Sequence, residues 1–113
     1  MSEKILKEET VLDSIFFAIS NSTRRKILEM LIDRDLYVNE ISTNFTSSLP
    51  TISNHLKLLT ECQLVRKHRE SQKIKYSINL KKFEETQIWL ETFGKVKLTD
   101  YDNLELILKK LEV

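Results

Sequence analysis

Residues 47–78 read SSLPTISNHLKLLTECQLVRKHRESQKIKYSI, and the fold turns on a change of period inside this stretch. In the first half, Leu49, Ile52, Leu56 and Leu59 fall on one side of a wheel drawn at ~100° per residue. That spacing predicts a helix running to about Cys62. Ser48 reads as its N-cap, and Pro50 is tolerated in a first turn whose N–H groups have no intrahelical partner. From Leu64 the period becomes two. Leu64–Arg69 and Lys73–Ile78 read as strands, the second alternating Ile74, Tyr76 and Ile78 against Lys73, Lys75 and Ser77. Glu70-Ser71-Gln72 is the expected connection, without the glycine such turns favour. The hairpin tip is basic: Arg66, Lys67, Arg69, Lys73 and Lys75 outnumber Glu70 five to one.

Upstream, Val11, Leu12, Ile15, Phe16 and Ile19 recur at helical spacing over Glu8–Ile19. Asn21-Ser22 breaks that helix and can cap the next, from Thr23 to about Asp33, with Ile27, Leu28, Leu31 and Ile32 on one side. Val38–Phe45 is a short third helix with Val38, Ile41 and Phe45 inward, and Thr46-Ser47-Ser48 is a turn. Downstream, Lys81 to about Phe93 is a fifth helix, closed by Gly94 as a C-cap. Asp100–Leu111 is a last one with Leu104, Ile107, Leu108 and Leu111 on one stripe. A helix, a short turn and a second helix make a helix-turn-helix. With the hairpin attached, the expected fold is mostly α with a small β-hairpin: a winged helix-turn-helix with an extra C-terminal helix.

The chain has 113 residues, the size of one domain. We expect a single domain over 1–113, with a core over about 8–94 and a helix over about 100–112 for dimerisation. The first, fifth and last helices carry more apolar side chains than such a core can cover, Trp89 and Phe93 among them, so a homodimer is expected. No apolar run of about 18 residues predicts membrane insertion and no secretory signal is visible. With Cys62 as the single cysteine, these point to the reducing cytoplasm. A single glycine excludes phosphate-cradling loops and nucleophile elbows, and no catalytic set recurs at an interpretable spacing, so no enzyme and no cofactor are expected. The net charge is only +1. Residues 24–83, however, hold 12 Lys/Arg against 6 Asp/Glu, and the flanks hold the other 6 Lys/Arg and 11 Asp/Glu. A basic middle between acidic ends suits a surface that meets a polyanion.

Opposite the apolar side of the helix over 49–62 lie Pro50, Asn54, Lys57 and Glu61, with Thr51, Ser53 and His55 on the shoulders. Short hydroxyls, an amide, an imidazole and a lysine can reach base edges and phosphates, and the N-terminus of the helix points amide donors outward. A polar solvent face would look the same. So would an edge-protected ribbon in place of a DNA-binding hairpin, since lysines also blunt sheet edges. The two features together favour nucleic acid. A winged-helix protein–protein module and an RNA-binding winged helix are the competing readings.

FFAISNSTRRKILEML, VNEIS, SSLPTISNHLKLLTECQLV and RKHRESQKIKYSI resemble the ArsR family of bacterial winged-helix repressors over about residues 14–93. The later QIWLETF is most like its metal-independent SdpR-like subgroup. The resemblance implies a homodimer that binds a palindromic operator in double-stranded DNA and represses transcription, with a sequestering protein as a further partner. By position it implies that Ser48, Thr51, Ser53, Asn54 and His55 face DNA, with Arg69 and Lys73 on the wing, and Lys57 joins them from its place on the exposed face of the wheel. For Arg24 it leaves two roles open, a phosphate contact or a hydrogen bond pinning the second helix to the core. Metal-sensing members have cysteines where this chain has Tyr37 and Asn39, and no His or Cys lies between Leu80 and Val113, so no metal is expected. Three departures stand out: Asn21-Ser22 for the usual Asp-Pro, Cys62-Gln63 for a small residue and glycine, and a wing without glycine. Cys62 reads as a small buried hydrophobe rather than a redox sensor, which would need an exposed low-pKa thiolate and usually a partner.

Overall fold

The computed structural model describes residues 3–94, with side chains from residue 10 onward. The chain divides into two compact units, Met1–Phe83 and Glu84–Val113. In the first unit the order is α1 (Glu3–Ile19), α2 (Ser22–Asp33), β1 (Leu36–Tyr37), α3 (Val38–Ser42), α4 (Leu49–Glu61), β2 (Val65–Glu70), β3 (Lys73–Ile78) and a 3-10 turn over Leu80–Lys82. α5 (Phe83–Thr92) leads into the second unit. The predicted helix over 100–112 lies outside the described residues.

Each helix boundary has a local cause. Asn21 Oδ1 accepts from the Arg24 N–H at 3.1 Å and caps α2 without the usual proline. Ser48 caps α4 through the Thr51 N–H, and Pro50 occupies the first turn. α4 ends where the Gln63 N–H reaches the Thr60 carbonyl at 3.0 Å and the Leu64 N–H reaches the Leu59 carbonyl at 3.1 Å. That crossed pair is a Schellman closure, and it places Gln63 at φ 64°. Leu64 is the residue after it and is fully buried, so the closure turns the chain directly into the core.

The core joins Ile15 and Ala18 of α1, Ile27, Leu28 and Leu31 of α2, Ile41 of α3, Ile52, Leu56 and Leu59 of α4, and Leu36, Leu64, Val65 and Tyr76 around the sheet. Two expected core residues are outside it: Leu49 is 52% exposed and Ile32 is 61% exposed. A helical wheel fixes angle and not height, and Leu49 stands at the first position of α4, ahead of its buried stripe. Ile32 stands one residue past Leu31, about 100° around the helix.

The hairpin belongs to a three-stranded antiparallel sheet of order β1-β3-β2. The helix expected over Val38–Phe45 ends at Ser42, and no strand was expected ahead of it. Instead Leu36 pairs with Tyr76 and Tyr37 with Lys75 before α3 begins. Two residues are too short to show a period. Glu70 pairs with Lys73, so the loop is Ser71-Gln72, with Ser71 at φ 58°. A positive φ at the first of two loop residues is the II′ pattern that glycine normally occupies. Gly94, by contrast, has no positive φ, and α5 ends two residues before it.

Gln63→Gly should therefore stabilise the fold by about 0.5–1 kcal/mol, the left-handed penalty less the added freedom of the unfolded chain. A rise in the melting midpoint of about 2–8 °C is expected. An unchanged or lower midpoint would show that Gln63 carries no such strain.

Candidate nucleic-acid interface

α4 presents its polar face because its opposite face is immobilised. Ile52, Leu56 and Leu59 are each 0% exposed. Thr51, Ser53, Asn54 and Lys57 are then exposed. The Ser48 and Thr51 hydroxyls lie 2.9 Å apart at the helix start, so the cap and the first outward hydroxyl form one pair.

His55 is different: it is half-buried and joined to Arg24. An Arg24 terminal N–H lies 3.2 Å from His55 Nδ1. A guanidinium only donates, so Nδ1 is the acceptor and the ring proton sits on Nε2. Partial burial, then the Arg24 charge, lower the pKa of His55 below the ordinary histidine value. The imidazole is thus neutral and offers one N–H donor, which suits a phosphate oxygen or a purine acceptor.

Arg24 itself takes the second of its two roles. It is buried, its Nε donates to the Ala18 carbonyl at 2.7 Å, and a terminal N–H donates to the Phe17 carbonyl at 3.1 Å. Its guanidinium carbon also lies 5.3 Å from the Phe17 ring centroid. The residue ties the end of α1, the start of α2 and the shoulder of α4 together. Three of its N–H groups are thus directed inward, which is the geometry of the pinning role.

Cross-strand pairing sorts the wing into two faces. Lys67 and Arg69 share the face of Tyr76 and Ile74, whereas His68, Glu70, Lys73 and Lys75 share the face of Tyr37. The two expected wing contacts, Arg69 and Lys73, therefore stand on opposite faces. Lys75 is not a free charge, because its Nζ lies 3.8 Å from Glu70 Oε1. Tyr37 Oη donates to Glu70 Oε2 at 2.6 Å. This bond, then Lys75, lowers the pKa of Glu70, and the same bond raises that of Tyr37. An open groove of about 390 Å³ between α4 and the wing is lined by Ser53, Tyr37, Asn39, Gln72 and Lys73, among others. Sequence reasoning missed Tyr37 and Glu70. Only the β1 register would have brought them together.

Tyr37 and Asn39 are not thiolates, and among the described residues no group of three or more His, Cys, Asp or Glu could hold a metal. Cys62 is half-buried, and its thiol points to the Ser14 carbonyl at 3.6 Å. Burial, then Glu61, raise its pKa against the opposing pull of Arg24, the reverse of a reactive thiolate.

The sequence pattern of the bacterial regulatory protein arsR family matches residues 21–67. The transcriptional repressor SdpR of Bacillus subtilis (strain 168) is 37% identical over 82 residues, covering 73% of this chain and 91% of that protein. The chain belongs to the arsR family. An ArsR-like transcriptional regulator from Rhodococcus sp. RHA1 superposes with a TM-score of 0.69 at 27% identity, over 91% of this chain and 93% of the other. The homodimeric winged helix-turn-helix DNA-binding domain of a possible ArsR-family regulator from Mycobacterium bovis gives a TM-score of 0.68 at 22% identity, over 81% and 87%. The winged helix-turn-helix is thereby established, and with family membership the protein is a DNA-binding transcriptional regulator, not an enzyme.

The Arg24–His55 contact has a pH signature. The folded state holds His55 below its unfolded pKa, so between the two values the unfolded chain binds a proton that the folded chain refuses. The contribution is fully present above about pH 6.5 and is lost as pH falls toward the lower folded value. The urea midpoint should drop between pH 7.5 and pH 5.5, and His55→Gln should reduce that drop. An identical drop in both proteins would mean that His55 is not coupled to the fold.

Proposed function

We propose that the protein is a homodimeric, metal-independent repressor that binds a palindromic operator in double-stranded DNA. The observation that carries this reading is the polar face of α4, rigidly backed by the core and set beside a basic wing. Ser53 and Asn54 meet base edges, and His55 donates from Nε2. Ser48, Thr51 and Lys57, with Arg69 and Lys73 of the wing, meet phosphates or groove edges. Contacts of the first kind specify sequence and those of the second fix register. Arg24 stays outside the contact set and holds His55 in place.

The whole chain, 1–113, acts as one domain in this proposal, with helix 100–112 serving dimerisation. Support for a second copy comes from α5 and the residue after it, where Ile88 is 63% and Phe93 74% exposed, while the Trp89 and Phe93 rings pack edge-on with centroids 4.6 Å apart. Apolar surface of this kind marks an interface more often than solvent contact. The proposed location is the cytoplasm. Among the described residues no helix is long and apolar enough to cross a membrane. Release by a sequestering partner protein rests on the family resemblance alone. Light scattering should return twice the 13.4 kDa chain mass. A monomer at micromolar concentration would remove the basis for palindromic binding.

Asn54 gives the sharpest test. It is exposed and turned away from the core stripe, so Asn54→Ala should change stability by no more than about 0.5 kcal/mol. An amide paired with one adenine contributes about 1–3 kcal/mol of discrimination. Selection from random duplexes should then show relaxed preference at two symmetric positions, in half-sites about 34–36 Å or a multiple apart. Wild-type preference in Asn54→Ala, Ser53→Ala and His55→Ala alike would overturn the assignment of α4 and favour a protein-interaction module.

A further inference from the structure

We propose that Tyr37 is a positioning residue for the wing: it staples the hairpin tip to the entry of the helix-turn-helix and so sets where Arg69 and Lys73 meet DNA. The inference rests on the DNA-binding reading of the wing given above.

Backbone pairing alone does not hold the tip. β1 contributes only Leu36 and Tyr37, paired with Tyr76 and Lys75, and its ladder stops two residues short of Lys73. Beyond that point β2 and β3 form a two-stranded ribbon, which is marginal in water on its own. The Tyr37 side chain bridges the gap. Its phenol crosses the central strand and donates at 2.6 Å to Glu70, the last residue of β2 before the turn. Its ring sits under two ammonium groups, Lys73 Nζ at 5.4 Å and Lys75 Nζ at 5.5 Å from the centroid. Lys75 in turn lies 3.8 Å from the Glu70 carboxylate.

The other end of the staple is equally fixed. Tyr37 immediately precedes α3, and its backbone N–H donates to Glu40 Oε1 at 2.9 Å within the first turn of that helix. Arg34 lies 3.4 Å from the other Glu40 oxygen. Displacing Tyr37 would therefore displace the start of α3. Arg69 adjoins Glu70 and Lys73 pairs with it, so anchoring Glu70 anchors both proposed contacts.

The test uses the full chain, an operator duplex selected with the wild-type protein, and an unrelated duplex. Tyr37→Phe keeps the ring beneath the lysines and removes only the hydroxyl. It should weaken operator binding about threefold to tenfold, the scale of one charge-assisted hydrogen bond at a solvated site. It should also lower the slope of log affinity against log salt, as Arg69→Ala does. Amide exchange should quicken at residues 66–74 and stay unchanged in α4. In an Arg69→Ala, Lys73→Ala double background the effect of Tyr37→Phe should largely vanish, because Tyr37 acts through those two contacts. Glu70→Gln, which keeps an acceptor for the phenol, should bind more tightly than Glu70→Ala at the same net charge. Suppose that Arg69→Ala lowers the salt slope while Tyr37→Phe has no effect, or keeps its full effect in the Arg69→Ala, Lys73→Ala double background. Then the wing touches DNA without Tyr37 positioning it, and the proposal fails alone. Equal binding by Glu70→Gln and Glu70→Ala would also overturn it. If neither Arg69→Ala nor Lys73→Ala changed the slope, the DNA-binding reading of the wing would fail and take this proposal with it.

Discussion

The rotation of α4 about its own axis is the constraint on which the interface depends. Ile52, Leu56 and Leu59 occupy one stripe and lose all contact with water. Burying each is worth roughly 1.5–3 kcal/mol, so turning the helix by one residue position would forfeit several kcal/mol. Thr51, Ser53, Asn54 and Lys57 face solvent as a consequence. The Schellman closure at Gln63 carries the same constraint forward. By burying Leu64 and Val65 straight after α4, it fixes where β2 begins and hence where the wing emerges.

Arg24 supplies the second link. A buried guanidinium is costly unless its donors are used. Here the carbonyls of Phe17 and Ala18 and the ring of His55 use them. Those carbonyls lie in the last turn of α1, where backbone oxygens have no intrahelical partner. The side chain thus satisfies carbonyls at the end of one helix and orients a candidate DNA contact on another, while the backbone N–H of the same residue donates to the Asn21 cap of α2. Charge follows from that geometry, since a cation beside Nδ1 keeps the imidazole neutral and a donor at Nε2.

The helices of the first unit were legible in the sequence because periodicity and caps agree there. Asn21 and Ser48 were readable as caps, and the buried stripe of α4 was readable except for Leu49. The strain at Gln63 could be anticipated from the missing glycine. What could not be read depends on register between distant segments. β1 has two residues and no period, so the strand, its pairing with β3 and the Tyr37–Glu70 contact all escaped the pattern. Arg24 illustrates the other limit. Its side chain can span either to a phosphate or to a carbonyl, and only the position of the α1 terminus decides between them.

The basic wing had two readings, a DNA contact and a strand edge guarded against pairing, and the sheet order makes them compatible. β2 is an edge strand whose residues from Arg66 to Glu70 are all exposed. Charge there is required to block edge-to-edge association, whatever its sign. A positive sign suits the proposed DNA contact, and the residues do not contribute equally. Glu70 compensates Lys75, and Lys73 rests against the Tyr37 ring. Arg66, Lys67 and Arg69 have no acidic partner in β3, since they pair with Ser77, Tyr76 and Ile74. The five-to-one count therefore overstates the charge available to a polyanion. The free cations are concentrated on the outermost strand, the part of the sheet farthest from β1 and the one a duplex can approach without displacing any core contact.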